Sequence, residues 1–248
     1  TEASPRLEPA AQKGGKLNIT PANTAEALAQ RPIVLLGDVG VGKTAFLKHL
    51  IYVRAQKEFQ NSICIYIDLG SQGTLADDLE SFVLDQVETQ LYQNYNVDIN
   101  EDPFVRGVYD SEIKRFSKGI YGPLKESDSQ HYNAKLIAHL DEKISKKYEH
   151  IRRSIRHIYN ARKKQVIIMI DNSDQRSYEI QQNAFIISQN LAKDWESVVF
   201  VAVRPKTFYD SKKSGALTAY PHKVFTVSPP RVERVIEKRL KFALDIAE

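Results

Sequence analysis

Apolar runs recur along the chain at Ile33–Leu36, Ser62–Leu69 (Asp68 near its end), Val166–Asp171, Ser197–Arg204 and, more briefly, Val224–Val227. Such runs are continuous rather than alternating, which predicts parallel strands covered on both faces. Between them the apolar spacing changes to that of a helix. Helices are predicted over Ala45–Ile51, Thr74–Tyr92 and Ala134–Arg162, and over Tyr178–Lys193. In the second, Leu75, Leu79, Phe82 and Val83 share a face and Thr74 is a plausible cap; in the third, Ile144, Tyr148, Ile151, Ile155 and Ile158 form one stripe. Thr20-Pro21 predicts a short helix over Ala22–Gln30. Strands alternating with helices predict an α/β fold, three layers around a mainly parallel sheet.

The remaining segments divide the chain. Residues 1–19 lack periodicity and read as a linker or flexible lead. Residues 20–228 form the main domain, interrupted by a helical insertion at about 93–164. Within it, 93–133 is polar and irregular, punctuated by Pro103, Gly107, Gly119 and Gly122. Its aromatics Phe104, Tyr109, Phe116 and Tyr121 predict order rather than disorder. Residues 229–248 read as the start of a C-terminal helical subdomain.

Directly after the first strand comes Gly37-Asp38-Val39-Gly40-Val41-Gly42-Lys43-Thr44, followed by Ala45. Two glycines four residues apart, then Lys and Thr, fit the phosphate-cradling P-loop (Walker A) pattern. Strand, glycine loop and helix are what the chemistry needs. Backbone N–H groups of Gly40, Val41, Gly42 and Lys43 would face phosphate oxygens, Lys43 would neutralise the β- and γ-phosphates, and Thr44 would offer its hydroxyl to Mg2+. The ligand predicted is a nucleoside triphosphate, ATP or its product ADP, with Mg2+. The alternative is a glycine turn that binds nothing.

Asp171 ends the strongest strand signal, as the Mg2+-holding acid of a Walker B strand does, at the sheet end where open α/β folds bind ligands. The next residue is Asn172, which has no carboxylate and cannot act as a general base. Asp174 is the next acid, able to polarise water if its loop curls back, and Gln175 can orient a water without deprotonating it. Slow hydrolysis is expected, closer to a switch than a motor.

In these motifs the chain resembles the STAND class of signalling ATPases, which includes the NACHT proteins, over about residues 20–245. Their magnesium strand ends Asp-Gly-x-Asp-Glu; here it ends Asp171-Asn172-Ser173-Asp174-Gln175, with the acids matching and Asn172 and Gln175 departing. The class also carries an Arg after the next strand, where Arg204 stands. The resemblance implies that Arg204 senses the γ-phosphate. It also implies an ATPase switch that couples nucleotide state to conformational change and oligomerisation, and it permits a role in bacterial antiphage defence. The partners implied are other domains of the same polypeptide or further copies of it.

Composition adds limits. With 42% hydrophobic and 27% charged residues, no apolar stretch of membrane-spanning length and one cysteine, Cys64, a cytoplasmic protein without membrane contact is expected. Met169 is the only methionine, so Thr1 is not a translational start and a fragment of a longer protein is expected. The net charge is +4, unevenly spread: Asp68–Asp102 holds nine acids and no Lys or Arg, while Lys143–Lys164 holds nine Lys or Arg and one acid. The two blocks could meet within the molecule or between copies, or be solvated helix faces. A DNA-binding surface on the basic block defines an alternative function, an AAA+-type ATPase acting on DNA. A small-molecule kinase is a weaker third, without an arginine-rich lid. No Asn-Lys-x-Asp run is present, which favours adenine over guanine by omission.

Overall fold

Six strands form one sheet in a computed structural model that describes residues 6–9, 31–49, 62–70, 78–214, 223–228, 233, 236–237 and 240. In chain order they are β1 (Arg6–Pro9), β2 (Ile33–Leu36), β3 (Ser62–Asp68), β4 (Gln165–Asp171), β5 (Val198–Val203) and β6 (Lys223–Ser228). The spatial order is β1-β6-β2-β5-β4-β3. The pairs from β6 to β3 are parallel, and β1 joins the edge of β6 antiparallel. The fold is therefore α/β around a mostly parallel sheet. The apolar runs give the strands because each residue meets a covered face. Val34, Leu36, Ile65, Ile67, Ile168, Ile170, Val201 and Val203 pack into one cluster, and Ile33, Leu35, Ile167, Met169, Phe200 and Phe225 into the other.

The second cluster takes Leu47 from α1 (Lys43–His49). The first is covered by α2 (Leu79–Tyr95), which contributes Val83, Val87 and Leu91. Asp78 caps α2 by accepting from the Ser81 N–H at 2.9 Å, so Thr74 does not take that place. Thr74, Leu75, the helix predicted over Ala22–Gln30, the end of the Ala45–Ile51 helix and the subdomain start at Pro229-Pro230 lie outside the described residues.

The segment expected to be irregular is helical: α3 (Asp102–Val108), α4 (Asp110–Ser117) and the short α5 (Leu124–Ser127). Its order was legible in its aromatics, since Phe104 and Tyr109 are buried. The single long helix expected over Ala134–Arg162 is two, α6 (Ser129–Ile144) and α7 (Lys147–Arg162). The Ser145 hydroxyl donates back to the Glu142 carbonyl at 3.0 Å, and Lys146 leaves helical geometry. The break lets two apolar stripes face different partners. Tyr132, Leu136 and Leu140 of α6 pack with Val105 and Tyr109, whereas Ile151, Ile155 and Ile158 of α7 pack towards the sheet. The layer is completed by α8 (Tyr178–Asp194), and α9 (Pro205–Ser214) follows β5. A second correction concerns the lead expected to be flexible: residues 6–9 pair with 225–228, and Pro9 is tolerated because it lies on an edge strand.

The opposite edge is β3, whose outward backbone groups α2 occupies with side chains. The Cys64 N–H donates to the Tyr95 hydroxyl at 2.7 Å, and that hydroxyl donates to the Cys64 carbonyl at 2.9 Å. Gln90 accepts from the Tyr66 N–H at 3.0 Å and donates to the Tyr66 carbonyl at 2.8 Å. An exposed ladder edge is thereby closed. Burial pushes the Cys64 thiol up to about 11, which keeps it protonated and unreactive.

The charge blocks do meet within the chain. Lys147 pairs with Asp85 at 2.5 Å and Glu88 at 2.7 Å. Other basic residues of α7 find acids elsewhere: Arg152 and Arg153 share Glu149, Arg153 also pairs with Glu112, and Arg156 reaches Glu196 at 3.4 Å. Among the described residues no helix is long and apolar enough to cross a membrane.

Candidate functional site

Because five strands run parallel, their C-terminal ends open on one edge of the sheet, where the loop after β2, Asp171 at the end of β4 and Arg204 after β5 emerge. The glycine loop needs its glycines for separate reasons. Gly40 and Gly42 have φ of 81° and 95°, a backbone that L side chains rarely adopt. Gly37 is excluded by space, since a Cβ there would lie 2.6 Å from Val41 Cγ2. Val41 turns towards the core under the loop, while Asp38 and Val39 are exposed.

Lys43 is buried, and its ammonium donates to the carbonyls of Gly37 at 2.7 Å and Asp38 at 3.1 Å. The loop thus wraps its own cation. Thr44 Oγ1 donates to Asp171 Oδ2 at 2.6 Å, across 127 positions of sequence. Asp171 is fully buried, and its carboxylate is satisfied from three sides, because Tyr66 donates its hydroxyl to Oδ2 at 2.8 Å and the Asn172 N–H donates to Oδ1 at 2.8 Å.

Beyond the carboxylate the chain turns through Asn172, in the left-handed region at φ 58°, into a single 3-10 turn over Ser173–Gln175. Ser173 donates its hydroxyl to the Ala202 carbonyl, tying this turn to β5. Asn172 Nδ2 donates to Asp68 Oδ1 at 2.7 Å, and Gln175 Nε2 donates to Asn172 Oδ1 at 3.1 Å. A cavity of about 460 Å³ is lined by Val39, Gly40, Gly42, Lys43, Thr44, Ala45 and Lys48 from the loop and α1, and by Asn172 and Gln175 from the turn after β4.

Of the residues singled out from sequence, Lys43, Thr44 and Ala45 line this cavity with Val39, Gly40 and Gly42, and Asp171 contacts Thr44 beneath it. Gly37 and Asp38 hold the Lys43 ammonium from the loop's start. Arg204 is half-buried at the end of the strand between β2 and β4 and does not line the cavity; its carbonyl accepts from Phe208 N–H as α9 begins. Asp174 lies in the 3-10 turn, with its side chain outside the described residues. Sequence reasoning missed Tyr66 and the part played by Asp68. The available signal was that two apolar runs end in Asp: Asp68 and Asp171 are direct partners in the β3–β4 register.

The donor set bears on a metal. A hydroxyl and a carboxylate are hard oxygen ligands suited to Mg2+, which is usually held by one or two protein oxygens, substrate phosphates and water. Thr44 and Asp171 fit that pattern. No group of three or more His, Cys, Asp or Glu among the described residues could hold a metal without such help.

A second cavity, about 310 Å³, lies among α4, α7 and α8 and carries Arg152, Arg153 and Arg156. Their charge is answered by Glu149, Glu112 and Glu196, so this cavity offers an anion little unneutralised charge. Compared with protein-family models, curated proteins and solved structures, the chain matches none of them.

Proposed function

We propose that the chain is a nucleotide-binding switch module that takes ATP with Mg2+ and hydrolyses it slowly. The observation that carries this reading is the contact between Thr44 and Asp171 beside the Lys43 cavity. It joins the one hydroxyl and the one buried carboxylate that a phosphate-bound cation would need, at the edge of a parallel sheet where ligands bind. The loop amides would donate to phosphate oxygens, Lys43 would pair with the β- and γ-phosphates, and Thr44 and Asp171 would hold Mg2+. Bound Mg2+ would supply charge neutralisation on those phosphates.

Slow turnover follows from the residues around Asp171. The following side chain, Asn172, is an amide already engaged with Asp68 and Gln175. It can take no proton from water. The switch character follows from connectivity. A γ-phosphate bears on Asp171 and its turn, Ser173 links that turn to β5, and Arg204 leads from β5 into α9. ATP and ADP then differ in what they hold in place, which is the differential affinity a two-state element requires. Oligomerisation and exchange with other domains are proposed as outputs of that change.

Thermal unfolding with and without Mg-ATP tests the reading. The parent is expected to melt higher with ligand and Lys43→Ala to show no such shift. An equal shift in both would remove the loop as the site.

A further inference from the structure

The carboxylate that position 172 lacks stands one strand away. Asp68 Oδ1 accepts from Asn172 Nδ2 at 2.7 Å and from the Gly70 N–H at 2.8 Å. A carboxylate only accepts, so Asn172 must turn its NH2 to Asp68 and its carbonyl to Gln175. Gln175 must in turn give its NH2 to Asn172, at 3.1 Å, which leaves its Oε1 as the acceptor. One negative charge thus sets the orientation of two amides in series. Space reinforces it: a Cβ on Gly70 would come within 2.8 Å of Gln175 Oε1 and 3.0 Å of Asn172 Cβ, so the pair rests directly on that glycine. Asn172 and Gln175 both line the cavity that Lys43 and Thr44 share.

We propose, resting on the nucleotide-binding reading, that Gln175 orients the attacking water at the γ-phosphate and that Asp68 is its positioning residue, acting through Asn172. The amide holds the water by hydrogen bonds and takes no proton. The water oxygen bonds to the γ-phosphorus while the bridging P–O bond breaks. The electron pair leaves on ADP, and the water's protons pass to inorganic phosphate and solvent. Positioning without general-base catalysis gives hydrolysis a rate set by geometry, so displacing Gln175 slows the chemical step and leaves ground-state binding alone.

The test is single-turnover Mg-ATP hydrolysis by the full chain, beside the affinity for a non-hydrolysable ATP analogue. Gln175→Leu is expected to slow hydrolysis about tenfold to a hundredfold with analogue affinity unchanged. Asp68→Ala should give a similar loss. Asp68→Asn, which can still offer an oxygen to the Asn172 amide, should recover most of the rate. The Asp68→Ala/Gln175→Leu double variant should be no slower than Gln175→Leu, because both act through one group. The proposal is overturned if Asp68→Ala keeps the parental rate, if it loses affinity rather than rate, if the two losses multiply, or if Asp174→Asn abolishes hydrolysis while Gln175→Leu does not. A parent that binds the analogue and never hydrolyses ATP overturns it while the nucleotide-binding reading stands; a parent that binds neither overturns both.

Discussion

Tyr66 and Thr44 place their hydroxyls on the same oxygen of Asp171, 2.8 and 2.6 Å away, on the face of the sheet that α1 covers. Burial, followed by the Asp171 hydrogen bond and the charges of Asp171 and Asp68, pushes the Tyr66 phenol above its ordinary value. It therefore stays a donor to a buried carboxylate. Tyr66→Phe is expected to destabilise the fold by about 1–2 kcal/mol near neutral pH, the range for a hydrogen bond to a charged group discounted for the half-exposed ring. The sign of the pH effect is separate. A tyrosine with a raised folded pKa contributes stability below its unfolded value and loses it as pH rises. The parent should thus lose stability more steeply than Tyr66→Phe above about pH 10, measured by denaturant midpoints.

The glycine loop gives a contrast between space and backbone. Gly40 has open surroundings and a positive φ, so Gly40→Ala should cost about 1–2 kcal/mol from backbone strain alone. Gly37 carries no such strain but would drive a methyl into Val41. Gly37→Ala should accordingly be destabilising in a way that Val41→Ala partly reverses, while Gly40→Ala shows no rescue by Val41→Ala. Thermal unfolding of the three single variants and the two double variants decides it.

The strands were readable because a residue buried on both faces leaves a continuous apolar run, as in Val166–Ile170, whatever its neighbour in the sheet. The glycine loop was readable because Gly40 and Gly42 answer a local backbone demand. The Asp68–Asn172–Gln175 chain was not, since it exists only because β3 pairs with β4 in a register that sets Asp68 beside Asp171. Strand order is a tertiary fact with no local spacing to reveal it. The break at Ser145 escaped for a related reason. The stripes of α6 and α7 share one helical period, and only their different packing partners separate them. The pairing of residues 6–9 with β6 rests on backbone hydrogen bonds, which leave no hydrophobic signature.

Closure of the β3 edge by α2 makes Tyr95 a test of edge protection. One hydroxyl both accepts from and donates to Cys64, so Tyr95→Phe strips two backbone groups at once. A loss of about 1–3 kcal/mol is expected, with faster hydrogen exchange at the Cys64 amide. Self-association should also rise with concentration in sedimentation, because the ladder edge is open to another strand. Exchange at Cys64 as slow as in the parent would show that water or another side chain replaces the hydroxyl without consequence.

His150 supplies the acid-side counterpart within the helical layer. It is buried under Tyr109, with Nδ1 3.0 Å from the Tyr109 hydroxyl and Nε2 3.1 Å from the Ile99 carbonyl. The carbonyl can only accept, so Nε2 carries the proton and Nδ1 accepts from the phenol; both contacts are made by the neutral ring. Burial lowers its pKa, outweighing the Ile99 hydrogen bond and the Glu88 charge. For a depressed histidine the unfolded chain binds the proton first. Its contribution is complete above the unfolded value of about 6.5 and falls away as pH drops towards the folded pKa. His150→Gln, which keeps polar atoms but does not titrate, should be less stable than the parent at pH 8. The gap between their urea midpoints should narrow by pH 5.5, and parallel curves over that interval would show that His150 does not carry the acid sensitivity of this layer.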